Sequence, residues 1–82
     1  MRAATFFTAA RHALQLRLGQ KWNVTPESVT VADVDARLGG SDPEMHALFE
    51  WADRAAYGDG ALPSDLDRWF QATRSRLRAL EA

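Results

Sequence analysis

The sequence predicts an all-α fold, a compact bundle of about four helices with two long terminal helices and one short and one medium helix between them. Three observations carry this. Apolar residues recur at helical spacing in four segments, cap and stop residues bracket most of them, and no stretch alternates as a strand does. The 82 residues make a single domain, 1–82, with short loops, no repeat and no low-complexity stretch. A chain of this size buries only about 60–65% of the surface its unfolded form exposes.

The first helix spans about Ala4 to Lys21. Phe7, Ala10, Leu14 and Leu18 fall on one row with Phe6 and Ala13 beside it, Trp22 and Val24 are expected to fold back on this helix, and Asn23 is read as its stop. Thr25-Pro26-Glu27-Ser28 reads as a cap, a proline at the first helical position and a single turn. Thr30 with Asp33 resembles a capping box and opens a short helix whose apolar row is Val31, Val34 and Leu38. Asp33 and Arg37 are spaced i,i+4 in the favourable order, and Gly39-Gly40 ends the helix.

Ser41 or Asp42 caps the third helix and Pro43 opens it. Its broad apolar face is Met45, Leu48, Phe49, Ala52, Ala55 and Ala56, with Trp51 at the edge, and Gly58 stops it after Tyr57. A loop runs from Gly58 to Pro63. Ser64 with Asp67 forms a second capping-box pattern before the last helix. That helix carries Leu66, Trp69, Phe70, Thr73, Leu77 and Leu80 on one stripe, the clearest amphipathic pattern in the chain. Alanines on the first and third helices suit close approach.

The absence of cysteine excludes disulfides and thiolate metal sites and fits a reducing compartment. No apolar run approaches the length of a membrane span, and no secretory signal pattern is present. The net charge of −1 is uneven: residues 1–22 carry +4 with no acid, residues 23–67 carry −8 and residues 68–82 carry +3. Basic terminal helices packed beside an acidic middle account for this. A basic start facing an acidic surface, such as the inner leaflet of a membrane, is the alternative.

No catalytic constellation stands out, and neither an enzyme nor a cofactor is expected. His12 and His46 lie far apart and are read as lacking ligand-like neighbours at i+3 or i+4, so no metal site is expected. Asp33-x-Asp35 imitates the start of a calcium loop. However, Arg37 and Leu38 occupy its fifth and sixth positions, and a helix would set the two carboxylates about 200° apart. A helix-turn-helix joined at Gly39–Pro43 would offer DNA a helix bearing Glu44, Glu50 and Asp53, which phosphates repel. Arg68, Arg74 and Arg78, off the apolar stripe of the last helix, are the better nucleic-acid candidates, although cations near a helix C-terminus also suit its dipole.

Phe7, Phe49 and Phe70 are expected in the core. Trp51 and Trp69, at stripe edges, are candidate partner anchors, because interface hot spots favour tryptophan. Tyr57 ends the third helix on its polar side, either hydrogen-bonded to a neighbouring element or at the surface. If Trp51 or Trp69 is an anchor, replacing it by alanine weakens partner capture and spares helicity; collapse of the fold marks it as core.

Four runs resemble the C-terminal domain of the BatD oxygen-tolerance (aerotolerance) family. They are Phe6-Phe7-Thr8-Ala9-Ala10-Arg11-His12-Ala13-Leu14 through Leu18 followed by Trp22; Val31-Ala32-Asp33-Val34-Asp35-Ala36-Arg37-Leu38-Gly39; Leu48-Phe49-Glu50-Trp51-Ala52-Asp53-Arg54-Ala55-Ala56-Tyr57-Gly58; and Leu66-Asp67-Arg68-Trp69. These are packing patterns covering nearly the whole chain. The resemblance implies a bacterial parent with a periplasmic β-sandwich-like region, a transmembrane helix, and this domain as a soluble tail on the cytoplasmic face of the inner membrane. Implied partners are von Willebrand-A-domain Bat proteins and a MoxR-type AAA+ ATPase. The implied role is scaffolding, and it carries over no functional residues. An acid-free basic start agrees with the positive-inside rule just after a span. Met1-Arg2 would then be an artificial start, since a cation at a helix N-terminus opposes the dipole.

The expected function is therefore a non-catalytic interaction or scaffolding domain, with Trp51, Trp69, Tyr57, Arg68, Arg74 and Arg78 as candidate contacts. The alternative is a helical nucleic-acid-binding domain using the last helix.

Overall fold

A first helix without internal proline, ended by a residue that tolerates left-handed backbone, forms the spine of the molecule. In the computed structural model, which describes residues 2–39, 42–58 and 61–81, helix α1 runs Ala3–Trp22. Asn23 stops it in the left-handed region (φ 56°), and its N–H and that of Val24 both turn back to Gly19 O. A single 3-10 turn, Pro26–Ser28, follows. The Thr25 side chain does not cap this turn; instead the Ser28 hydroxyl donates to Thr25 O.

Helix α2 (Val31–Leu38) opens with the full capping box: Asp33 N–H donates to Thr30 Oγ1, and the Asp33 carboxylate accepts from Thr30 N–H. Gly39 ends it at φ 60°. Helix α3 (Pro43–Tyr57) is capped by Asp42, which accepts from Met45 N–H; Ser41 and Gly40 lie outside the described residues. Gly58, again left-handed, ends α3. Helix α4 is Leu66–Glu81. Its first N–H groups, from Arg68 and Trp69, turn to Asp65 O. The helix thus starts one residue later than a Ser64–Asp67 capping box requires, and that expectation is corrected.

Among the described residues there are four α-helices and no strand, and the radius of gyration, 12.0 Å, matches about 12 Å for a compact chain of this length. Helix α1 packs against α3 and α4, while α2 packs against α3. The core is one cluster built on Phe7, Leu14, Leu18, Leu48 and Phe49, closed by Met45, Ala52, Val34, Trp69 and Ala72. Ala10 and Ala52 are buried, as the close-approach expectation for α1 and α3 requires. The rings of Phe6 and Trp69 each meet Phe7 edge-on, at 5.0 and 6.1 Å between centroids.

The row read for α1 is the buried row, and Phe6 joins it. On α3 the buried face ends at Ala52: Ala55 is only partly covered and Ala56 is exposed. The stripe read for α4 needs correction. Trp69 and Thr73 are buried, but Phe70 is 51% exposed, and Ala72 takes the interior place. The Thr73 hydroxyl is satisfied inside by donating to Trp69 O.

Two interior residues escaped the helical reading because periodicity does not reach them. Val29 sits in the connection after the 3-10 turn and is buried, its carbonyl accepting from Gln15 Nε2 at 2.9 Å. Gly19 is buried where α1 meets the returning chain, and a methyl group there would lie 2.9 Å from Val24 O.

Candidate interaction surface

Charged side chains link the basic ends of the chain to its acidic middle. Arg11 on α1 donates to Asp53 on α3 at 2.7 Å. Arg76 on α4 grips the start of α3: its Nε lies 2.9 and 2.8 Å from the two oxygens of Asp42, and Nη2 lies 2.7 Å from Glu44. Asp42 thus caps α3 and anchors α4 with one carboxylate. Carboxylates at a helix N-terminus are favoured by its dipole, and the guanidinium fork adds charge-assisted hydrogen bonds.

His46 forms a third link. Its Nδ1 lies 2.8 Å from Asp35 on α2, and its Nε2 lies 2.7 Å from Glu50 on its own helix. A carboxylate only accepts, so holding two carboxylates needs both ring nitrogens to carry protons, which is the imidazolium form. The hydrogen bond to Asp35 is the main cause raising the His46 pKa above its ordinary value; desolvation opposes it, and the charge of Asp35 and the bond and charge of Glu50 add to the rise. Glu50, four residues beyond His46, is a ligand-like neighbour that the sequence reading overlooked. The cluster is open to water, with side chains 41–50% exposed, and both ring nitrogens already face carboxylates. Among the described residues no group of three metal-ligating side chains converges on an ion site.

Of the candidate contact residues, Trp69 is core, and its Nε1–H is buried without an acceptor among the described residues. Trp51 is half-buried, its inner face against Phe7 and its outer face under Arg54, whose guanidinium carbon sits 5.2 Å from the ring. Tyr57 is 85% exposed at the end of α3, the surface alternative of its two readings. Arg68 lies over Trp69 and near Asp65. Arg74 and Arg78 are exposed, and among the described residues neither meets a carboxylate.

Phe70 is the surface residue that the sequence reading missed. At about 100° per residue, Trp69, Arg76, Leu80 and Thr73 centre the buried face of α4, and Phe70 falls about 100° from Trp69. Arg74 and Arg78 follow it at i+4 and i+8, with partly covered Leu77 at i+7. The result is an aromatic and an aliphatic side chain bordered by two guanidinium groups that meet no carboxylate among the described residues. A groove of about 190 Å³ lies elsewhere, between the far ends of α1 and α4, lined by Leu18, Trp22, Leu38, Met45 and Leu80 with Lys21, Asp42 and Arg76. It holds no converging pair of free polar groups, because Arg76 and Asp42 are bonded to each other.

These features define a small helical domain whose charged groups tie helices together and whose exposed apolar side chains include Phe70 on α4 and Leu16 on α1. No family model matches the chain, and neither a curated protein nor a solved structure matches it. No helix among the described residues is long and apolar enough to cross a membrane.

Proposed function

We propose that the chain is a non-catalytic interaction or scaffolding domain that docks a protein partner through the outer face of α4. One observation carries this reading: Phe70 stands half in solvent between the buried face of α4 and the exposed Arg74 and Arg78. Interface cores favour an aromatic residue with arginine beside it. The four runs resembling the BatD tail support a more particular form. In it the domain is the cytoplasmic tail of a membrane-anchored, stress-linked protein, working with von Willebrand-A-domain Bat proteins or a MoxR-type ATPase. The test is calorimetric titration of the chain with such proteins encoded beside its gene. Saturable binding lost on Phe70→Ala is the expected result, and no heat from any of them defeats the BatD form.

A second reading, nucleic-acid binding through Arg68, Arg74 and Arg78, is favoured by the exposure of all three on one helix. Against it, the chain as a whole is slightly acidic. Titration of a labelled duplex at low salt separates the two. Saturable binding that falls steeply with salt would reverse their order.

A further inference from the structure

We infer that the Phe70 face of α4 receives an acidic amphipathic helix of a partner protein, with Arg74 and Arg78 pairing its carboxylates; this rests on the interaction reading above and names the partner's chemistry. In α4 the apolar arc and the buried arc do not coincide. Its apolar residues span an arc from Trp69 past Leu66 and Leu77 to Phe70, while the bundle covers the arc from Ala72 through Arg76 to Thr73. The helix is turned toward α3 by the grip of Arg76 on Asp42 and Glu44. That turn leaves one apolar edge, Phe70 and Leu77, only partly covered.

Charge then selects the occupant. Arg74 and Arg78 stand i,i+4 on this edge, and like charges at that spacing disfavour the helix. From Arg68 to Leu80 the helix has no acid. The other arginine facing a neighbour, Arg76, is held by two carboxylates, whereas Arg74 and Arg78 meet none among the described residues. A partner carboxylate beside each would relieve their repulsion and form charge-assisted bonds. A second copy presenting the same edge brings arginine to arginine, so self-pairing is disfavoured. A polyanion would gain from the arginines but has no use for a partly covered Phe70 and Leu77. An apolar helix row flanked by glutamates matches both features, in the helix-against-groove mode of recognition.

The experiment uses the full chain and three probes. The first is a labelled amphipathic helical peptide with three leucines at helical spacing and glutamates on both sides of them. The second replaces those glutamates by lysines, and the third is a DNA duplex. Anisotropy gives affinity, and amide chemical shifts locate the site. The glutamate peptide is expected to bind saturably, with shifts centred on residues 66–78. Arg74→Glu should weaken it about tenfold or more and restore binding of the lysine peptide, while Phe70→Ala weakens both pairings. Both side chains are exposed, so circular dichroism should stay unchanged. No saturable binding of the glutamate peptide, equal binding of the lysine peptide to the unmodified chain, or shifts away from α4 each overturns the proposal. If a protein partner still binds and Arg74→Glu leaves it untouched, the interaction reading survives without this face. If only the duplex binds, both fail.

Discussion

Helices α1 and α4 pack side by side, yet their sequences relate to their burial in opposite ways. Helix α1 is nearly as apolar outside as inside, with Ala9 and Leu16 on its solvent side, and still its interior row is Phe7, Ala10, Leu14 and Leu18 as the spacing indicates. Helix α4 has the sharper division of apolar and polar residues, and its interior was misread. Phe70 lies out, Ala72 lies in, and an arginine occupies the middle of the buried face. Along α1, burial follows side-chain size on one row, and the one charge on that row, Arg11, reaches Asp53 from it, so charge and size agree. On α4, Arg76 meets two carboxylates at the start of α3, and the buried arc is displaced from the apolar arc toward that arginine. Periodicity locates the buried face of α1, whose ion pair lies on the apolar row, and misses that of α4, whose ion pair lies off its apolar arc.

The largest effect should separate the two helices. Leu14→Ala empties a site with no solvent exposure and should cost about 2–5 kcal/mol, close to the whole stability of so small a domain. Phe70→Ala removes a larger side chain from α4 and should stay within about 0.5 kcal/mol. Urea unfolding of both variants measures the contrast, and equal losses would erase the distinction drawn here. Next comes Gly19→Ala, which asks whether α1 is also held at its end. Alanine gains up to about 1 kcal/mol in helix propensity, but its methyl group meets Val24 O at 2.9 Å and Pro26 at 3.2 Å. Both contacts involve backbone atoms, so overpacking of about 1–3 kcal/mol should win, and the expected net loss is about 1–2 kcal/mol. A stabilised variant would mean the chain after Asn23 yields easily.

The fold was largely legible because its punctuation is local. Asn23, Thr30 with Asp33, Gly39, Asp42 with Pro43, and Gly58 each act on their own few residues of backbone, and each functions where the sequence places it. What was not legible depends on partners distant in sequence. Val29 is buried because Gln15 holds its carbonyl, and no spacing rule links them. Phe70 is exposed because Arg76 finds Asp42 and Glu44 more than thirty residues away. His46 with Glu50 was visible at i,i+4, but Asp35 joins them only when α2 folds against α3.

Arg76→Ala tests the rotation directly. Arg76 is 25% exposed, and losing its bonds should cost about 1–2 kcal/mol, between an exposed pair and a buried charged hydrogen bond. Stability is the lesser readout. Released from α3, the helix should turn its apolar arc inward, so accessibility of the Phe70 ring to a soluble paramagnetic probe should fall. An unchanged Phe70 would mean that packing against α1, rather than the ion pairs, sets the rotation.

The smallest effect concerns α2, which packs against α3 and lays Arg37 over Trp22 of α1. His46 bridges α2 and α3, and its folded pKa is raised, so folding favours the protonated ring. The unfolded chain binds this proton less tightly, and stability therefore falls where the native state alone would hold it. The contribution is complete below the ordinary imidazole value of about 6.5 and disappears as pH rises through the raised native value. Because all three side chains are two-fifths to half exposed, the bridge is screened, and its worth stays within the about 0–1 kcal/mol of surface pairs. Melting temperature of the unmodified chain should decline slightly across that window, with His46→Gln flat through it. The same decline in both proteins would assign the pH response to other groups and leave α2 held without this bridge, by Val31, Val34, Leu38 and the Arg37–Trp22 contact.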